Sequence, residues 1–168
     1  CHMGSVRMPA GLWRLVGFKP TASRVPRDGI FPLSTTFDSV GPLANSVECC
    51  ALIDAIFAGE PPPKLKSMPI SGLRLGVPKN VVLDGLDPEV AKAFDAALKK
   101  RSAAGAKIEE FDFPEINEVL DLNKRCGMSS VECYALHRNR IPGRESRYDP
   151  RILARMMGAK GYEMADYY

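Results

Sequence analysis

A strand–helix–strand pattern between residues 73 and 113 constrains the fold more than any other feature of the sequence. Residues 73–77 and 106–113 are short runs rich in apolar residues, as is typical of strands. Between them, Asp87 suits an N-cap, Pro88 suits the first helical position, and Gly105 suits the end of a helix. Strands joined by a helix lie in a sheet that helices cover. The pattern therefore predicts a βαβ unit with a right-handed crossover and an α/β fold.

Further helices are predicted on both sides of this unit. Ser46 is a good N-cap for a helix over residues 47–58, and Gly59 suits the left-handed position that ends it. A long helical segment is predicted from Glu115 to about residue 138, weakened at Gly127, and then a loop over residues 138–150. A final helix should begin after Asp149. Residues 4–45 are rich in Gly, Pro, Ser and Thr, which favours extended backbone and ordered loops.

These elements predict a single partial domain over residues 4–168. Residues 1–3 (Cys-His-Met) resemble a remnant of cloning and are set aside. The domain is then divided into a signature segment over residues 4–59, a proline-rich connector over 60–72, the βαβ unit over 73–113 and a helical segment over 114–168. The connector holds three consecutive prolines, which predict a stiff, extended backbone.

Composition excludes several classes of protein. No apolar run approaches the length that spans a bilayer, so a membrane protein is not expected. The net charge of +3 is too small to indicate a nucleic-acid partner by itself. The five cysteines are odd in number and irregularly spaced, which does not fit a disulfide framework and favours a reducing cytoplasm.

The segment from Gly4 to Asp54 carries most of the functional information. Its distinctive pieces occur in a fixed order: Gly4-Ser5-Val6-Arg7, Pro9-Ala10-Gly11, Leu15-Val16-Gly17-Phe18-Lys19-Pro20-Thr21, Arg24-Val25, Pro32-Leu33-Ser34, Phe37-Asp38-Ser39-Val40-Gly41-Pro42 and Ser46-Val47-Glu48. In sequence and spacing these pieces resemble the amidase signature family. The resemblance implies part of an α/β/α sandwich with a mixed sheet covered by helices, a fold that this chain would hold only incompletely.

The same resemblance implies a role for Ser5. Members of the family cleave amides with a Ser–Ser–Lys triad, and the nucleophile of the Gly-Gly-Ser-(Ile/Val)-Arg motif corresponds to Ser5. Gly4 corresponds to part of the turn whose amides bind the oxyanion. The sequence departs from the pattern at Met3, where a glycine is expected, and at Trp13-Arg14. The second serine and the lysine lie upstream of the nucleophile in the family, so we expect this chain alone to be inactive.

Other candidate residues have less specific signals. Arg7 is expected to orient the nucleophile turn or to contact substrate, and Lys19 to fix a loop. Cys126, Cys133 and His137 share helical spacing that could serve a metal, although positions in the core or at an interface fit them better than an incomplete zinc set. The other histidine, His2, falls in the cloning remnant.

Six arginines lie between residues 138 and 155. A solvated surface and a site for an anionic substrate or tRNA both fit this pattern. They are Arg138, Arg140, Arg144, Arg147, Arg151 and Arg155.

Three functions remain in view. The first is hydrolysis of a carboxylic amide through a serine acyl-enzyme, with no metal or organic cofactor. The second is the A subunit of the glutamine amidotransferases that amidate tRNA, and the third is a non-catalytic interaction scaffold. A partial sheet leaves apolar surface uncovered, so we also expect self-association or pairing with a complementary fragment.

Overall fold

The structure, a computed structural model, describes residues 4–123 and 127–163. The chain divides into two compact units, residues 1–65 with 125–168 and residues 66–124. The elements are α1 (Arg7–Leu12), β1 (Val16–Gly17), β2 (Leu43–Ala44), α2 (Val47–Ala58), β3 (Arg74–Pro78), α3 (Pro88–Ala103), β4 (Lys107–Phe111), α4 (Glu115–Asn123), α5 (Met128–His137), a 3₁₀ turn (Glu145–Arg147) and α6 (Pro150–Met157).

The second unit contains the predicted βαβ arrangement. β3 and β4 pair in parallel, from Arg74 opposite Lys107 to Pro78 opposite Phe111. The carboxylate of Asp87 accepts a hydrogen bond from the Glu89 amide at 2.9 Å, which caps α3 ahead of its proline. The sequence prediction of a helix joining two parallel strands is therefore confirmed, and with it the α/β class.

In the first unit, α2 forms where its sequence predicts. The Ser46 hydroxyl accepts a hydrogen bond from the Cys49 amide at 3.1 Å, and Gly59 adopts the left-handed conformation that ends the helix. The Cys50 thiol lies 3.3 Å from the carbonyl oxygen of Val16 in β1. β1 itself pairs antiparallel with β2. This ladder and α2 therefore form one packed part of the first unit.

The prediction of extended backbone throughout residues 4–45 is wrong at α1. The helix begins at Arg7, and Pro9 and Gly11 within it argued against a helix from sequence. Pro9 falls in the first turn, where a backbone amide has no partner inside the helix, so its missing N–H costs nothing there. Burial of Val6 and Ala10 then fixes this short helix to the unit.

The predicted helical segment from residue 115 to 138 is two helices in the structure. α4 is described to Asn123 and α5 begins at Met128, after Gly127 with φ of +72°. That left-handed conformation is incompatible with a continuous helix, so the weak point seen in the sequence is a break. The loop after α5 also contains one 3₁₀ turn that was not predicted, whereas α6 begins at Pro150 behind its Asp149 cap as expected.

Large apolar side chains remain exposed on several elements, including α2 and α3. The buried apolar set consists mostly of small and medium-sized side chains: Val6, Ala10, Val25, Cys50, Ala55, Val77, Ala106, Cys133, Ile141, Met156 and Ala159. Among the described residues, no helix combines the length and apolar character needed to cross a bilayer.

The close approach of α1 to β1 depends on Gly17. A Cβ atom at this position would lie 2.7 Å from the carbonyl oxygen of Val6 and 2.8 Å from the Cβ of Ala10. Both distances are shorter than van der Waals contact, and the first involves backbone that cannot move aside cheaply. α1 can therefore pack on the strand only when position 17 lacks a side chain.

We predict that Gly17→Ala lowers the free energy of unfolding by about 1–3 kcal/mol, the usual cost of overpacking. Gly11→Ala is the matched control, because a Cβ there meets no atom within 4 Å and alanine favours the helix. Urea denaturation followed by circular dichroism measures both variants. Equal stability of the two variants would contradict this account of the packing.

Candidate active site

Ser5 lies in the turn that leads into α1. Gly4 is buried with φ of +107°, a conformation that glycine adopts without strain, and its carbonyl oxygen accepts a hydrogen bond from the Met8 amide at 2.8 Å. Val6, on the other side of Ser5, is also buried. The turn therefore holds Ser5 between two anchored neighbours while its own side chain is exposed.

Two cavities meet at Ser5, and Leu33 lines both of them. The first measures about 610 Å³ and has a polar wall that includes Arg27, Asp28 and Asp38. The second measures about 680 Å³ and is mostly apolar. It is lined by Met8, Pro9, Leu12, Ile152 and Met156, together with Ser129, Ser130, Cys133 and Arg155. A molecule that reacts at the Ser5 hydroxyl can thus extend into a space of mixed polar and apolar lining on one side and a mostly apolar space on the other.

Within the described part of the chain, the Ser5 hydroxyl and the backbone amides of Gly4 and Ser5 make no hydrogen bond. A serine hydroxyl needs a base to become nucleophilic near neutral pH. The residues described here position the oxygen but do not provide that base.

The loop over residues 33–38, which borders both cavities, is fixed by the carboxylate of Glu132 on α5. The hydroxyl of Ser34 donates to Glu132 Oε2 at 2.5 Å, and the Thr36 amide donates to the same oxygen at 3.0 Å. The Thr36 hydroxyl donates to Oε1. Ser34 is fully buried, so its hydroxyl would lose its acceptor without Glu132.

Asp38 supports the same loop from its other end. Its Oδ2 atom accepts hydrogen bonds from the amides of Leu33, at 2.8 Å, and Ser34, at 3.0 Å. One guanidinium nitrogen of Arg27 donates to the carbonyl oxygens of Thr35, at 2.9 Å, and Asp38, at 3.1 Å. Two carboxylates and one guanidinium thus satisfy backbone groups that have no partner in a helix or sheet.

A second ionic cluster fixes the loop that follows β1. Arg24 forms a bidentate pair with Glu60, at 2.8 and 2.7 Å, and donates to Asp54 on α2 at 2.8 Å. These hydrogen bonds, first to Glu60 and then to Asp54, raise the pKa of the Arg24 guanidinium. Among the described protein atoms, the second oxygen of the buried Asp54 has no hydrogen-bond partner. Neither Arg24 nor Asp54 lines the cavities at Ser5, so the cluster is structural.

The other predicted site residues take up different positions. Arg7 is the first residue of α1, is exposed, and makes no ion pair with any residue in the described ranges. The ammonium group of Lys19 donates to the carbonyl oxygen of the adjacent Pro20 at 2.6 Å, and its role in fixing the loop stays a prediction. The role of Arg7 in orienting the nucleophile turn stays a prediction.

Of the three residues considered as metal ligands, Cys133 and His137 lie in the described chain. Cys126 and His2 lie outside the described residues. Cys133 is buried beside the apolar cavity, where burial, and then the negative charge of Asp38, raise the pKa of its thiol. His137 Nδ1 lies 3.1 Å from the Tyr148 hydroxyl. No group of three potential ligands is arranged around a metal position within residues 4–123 and 127–163.

Glu132 is the residue that sequence reasoning missed. It lies on a helix remote in sequence from the loop that it fixes, and a lone glutamate in a helix carries no signal for such a partner. Asp38 lies within one of the quoted motifs, but the motif does not show which backbone amides its carboxylate binds. From sequence, an aspartate there indicates only a turn.

We predict that Glu132→Ala lowers the free energy of unfolding by about 2 kcal/mol or more, because the buried Ser34 hydroxyl loses its charged acceptor. Glu132→Gln is the conservative control, since its amide oxygen can still accept one of these hydrogen bonds and the loss should be smaller. Urea denaturation gives both values. Identical stability of the alanine variant and the parent would refute the role given to Glu132.

Comparison of the sequence with known proteins identifies its family. The sequence model of the family named Amidase matches residues 3–162. A 2-amino-5-chloromuconic acid deaminase from Comamonas testosteroni is 35% identical over 168 residues, which cover 98% of this chain and 36% of that protein. The A subunit of a glutamyl-tRNA(Gln) amidotransferase from Clostridium botulinum is 38% identical over 130 residues, which cover 70% of this chain and 27% of that protein.

Comparison of the fold with solved structures points to the same family. A crystal structure of an amidase superimposes with a TM-score of 0.85 at 30% identity, covering 98% of this chain and 36% of the other. The chain thus spans about a third of the length of this amidase and of the deaminase. The amidase-type α/β fold inferred from the signature segment is confirmed. With a family match over nearly its whole length and a fold shared with a solved amidase, this chain belongs to the Amidase family.

Proposed function

We propose that this chain provides the nucleophile of an enzyme that hydrolyses a carboxylic amide, and that Ser5 is this nucleophile. The observation that supports the proposal is the position of the Ser5 hydroxyl, exposed on an anchored turn where two cavities meet. The correspondence of Gly4-Ser5-Val6-Arg7 with the nucleophile motif of the family points to the same residue.

In the proposed reaction, Ser5 Oγ attacks the amide carbonyl carbon while its proton passes to a base. The tetrahedral oxyanion is stabilised by backbone amides of the turn that includes Gly4 and Ser5. The C–N bond then breaks, the nitrogen takes up the proton, and an acyl ester of Ser5 remains. Water hydrolyses this ester and regenerates the hydroxyl. The relay serine and the lysine base of the family would come from outside the residues present here, so we expect this chain alone to be inactive.

The two cavities indicate how a substrate is divided. A mostly apolar space of about 680 Å³ suits the hydrocarbon part of an acyl group, while the space of about 610 Å³, where charged side chains stand among apolar ones, can take a part that carries polar groups. Arg155 in the mostly apolar cavity and Arg27 in the mixed one provide positive charge on each side. We therefore favour an amide of a small organic acid, and no metal or organic cofactor is needed for the steps above.

A second function has specific support. The relative from Clostridium botulinum is the A subunit of a glutamyl-tRNA(Gln) amidotransferase. In such an enzyme, the same acyl transfer would act on glutamine, and the chain would need partner subunits. Glutaminase activity of the full-length gene product, together with co-purification of partner subunits, would favour this function over hydrolysis of an unrelated amide.

The third function is a non-catalytic scaffold that retains the fold without the reaction. It differs from both enzymatic functions in one measurable respect, because it requires no reactive serine. Labelling of the full-length gene product by a fluorophosphonate probe separates the two classes: labelling at Ser5 supports an enzyme, and its absence in that full-length product supports a scaffold.

We predict that Ser5→Ala in the full-length gene product lowers the rate constant of amide hydrolysis by roughly 10³-fold or more and abolishes probe labelling. Ser23→Ala is the matched control, because Ser23 is an exposed serine of the same unit that lines neither cavity, and this variant is expected to keep most of the activity and labelling. Activity is measured by ammonia release. Retention of full activity by Ser5→Ala would exclude Ser5 as the nucleophile.

We also predict self-association of this chain, or pairing with a fragment that completes its fold. Apolar side chains on α2 that are exposed in this unit would be covered in a larger assembly, including Val47, Leu52, Ile56 and Phe57. Size-exclusion chromatography with light scattering should give a mass above 18.4 kDa at high concentration. A compact monomer under those conditions would contradict the prediction.

The free thiols of Cys49, Cys50 and Cys133 fit a reducing compartment, and we expect this protein to be in the cytoplasm.

A further inference from the structure

A small concavity on the first unit is lined almost entirely by hydrogen-bond donors. It measures about 210 Å³, and its walls are formed by His137, Arg140, Arg144, Arg147 and Tyr148, which we call the arginine pocket. None of these residues lines either cavity at Ser5. The arginine pocket is therefore a separate feature, and its interpretation is independent of the function proposed above.

The three guanidinium groups of the arginine pocket have no carboxylate partner among residues 4–123 and 127–163. Two acidic residues stand close in sequence, but both are engaged elsewhere. Glu145 accepts a hydrogen bond from the Gly143 amide at 3.2 Å, and Asp149 pairs with Arg151 at 2.9 Å. Three guanidinium groups that line one small pocket repel one another, so an anion would relieve this cost.

The pocket is held in shape by its aromatic residues. His137 Nδ1 lies 3.1 Å from the Tyr148 hydroxyl, and the two rings meet edge to face with centroids 5.6 Å apart. The guanidinium carbon of Arg140 lies 5.1 Å from the ring centroid of Phe31, in cation–π contact. The buried Ile141 anchors the start of the loop. The donors are thus partly ordered before any ligand arrives, which lowers the entropic cost of binding.

From these contacts we infer that the arginine pocket binds a phosphoryl group. Arginine presents a planar fork of donors that matches phosphate oxygens, and three arginines line one small space. A dianionic phosphoryl group would neutralise most of the positive charge gathered there, whereas a single carboxylate would neutralise less. The volume of about 210 Å³ admits a group of this size, whether free or at the end of a larger ester.

The experiment is a calorimetric titration of the whole chain with inorganic phosphate at low ionic strength, where screening is weakest. Arg144→Ala and Arg147→Ala should each weaken binding about tenfold, the usual effect of losing a charge-assisted hydrogen bond. Arg138→Ala is the matched control, because Arg138 is an exposed arginine next to the arginine pocket but not part of its wall, and it should change the affinity less than about twofold.

Several outcomes would overturn the inference. They are the absence of saturable phosphate binding, an equal loss in the Arg138 variant, and acetate binding as tight as phosphate binding. Circular dichroism of each variant distinguishes lost binding from lost folding, and Arg144→Lys should retain part of the affinity because it keeps the charge without the fork. Ser5→Ala should bind phosphate normally, so failure of this inference and failure of the proposed catalysis are separable.

A competition titration identifies the kind of molecule that carries the phosphoryl group. A short single-stranded RNA is titrated alone and in the presence of phosphate. If phosphate displaces the RNA, and Arg144→Ala weakens both ligands equally, the arginine pocket takes a phosphate of the nucleic-acid backbone. If the RNA does not compete, the ligand is a small phosphate or phosphate ester. Both results support a phosphoryl site and differ only in what carries the group.

Discussion

The hydrogen bonds between Glu132 and the loop over residues 33–38 join the two stretches of chain that make up the first unit. One carboxylate accepts from the hydroxyl and amide groups of residues 34–36, across a separation of 96 to 98 positions in sequence. Leu33, at the edge of this loop, borders both cavities at Ser5. Without this carboxylate, the buried Ser34 hydroxyl would lose its acceptor, and the loop would lose hydrogen bonds that offset its conformational entropy.

Two kinds of contact hold the candidate site in place. The turn that carries Ser5 is anchored by small buried side chains, Val6 and Ala10, and by the close approach of α1 to Gly17. The facing loop relies on Glu132 and Asp38. Hydrogen bonds to charged groups require a particular distance and angle. They therefore restrict the position of the loop more than an equal number of apolar contacts would. The arginine pocket is also formed by charged and polar side chains, but its guanidinium groups have no carboxylate partner among residues 4–123 and 127–163.

Local signals predicted local structure well. Ser46 and Asp87 were recognised as caps because a side-chain oxygen before a helical pattern satisfies amides within a few residues, and α6 was predicted to begin after Asp149. The parallel pairing of β3 and β4 followed from a helix between two apolar runs. In each case, the interactions that decide the structure join residues close in sequence or follow from their order.

Features that depend on distant contacts were not predictable. α1 has poor intrinsic helical propensity and exists because Val6 and Ala10 pack on β1. The role of Glu132 depends on a partner nearly a hundred positions away in sequence, and the pattern of residues around Glu132 does not indicate this contact. Ser5 itself was identified by resemblance to a family motif, since a single serine near the start of a chain has no physical signature. The cavities around it became visible only once the fold was known.

The first unit is made of two stretches of chain that are far apart in sequence, and this affects how the chain folds. Its two stretches are separated by residues 66–124, whose parallel strands are joined by a single capped helix. That inserted unit can form from contacts that are comparatively short-range. Closure of the first unit must bring together ends that are far apart on the chain, which is entropically expensive and slow. We therefore expect the βαβ segment to gain protection from hydrogen exchange earlier during refolding than the turn that carries Ser5.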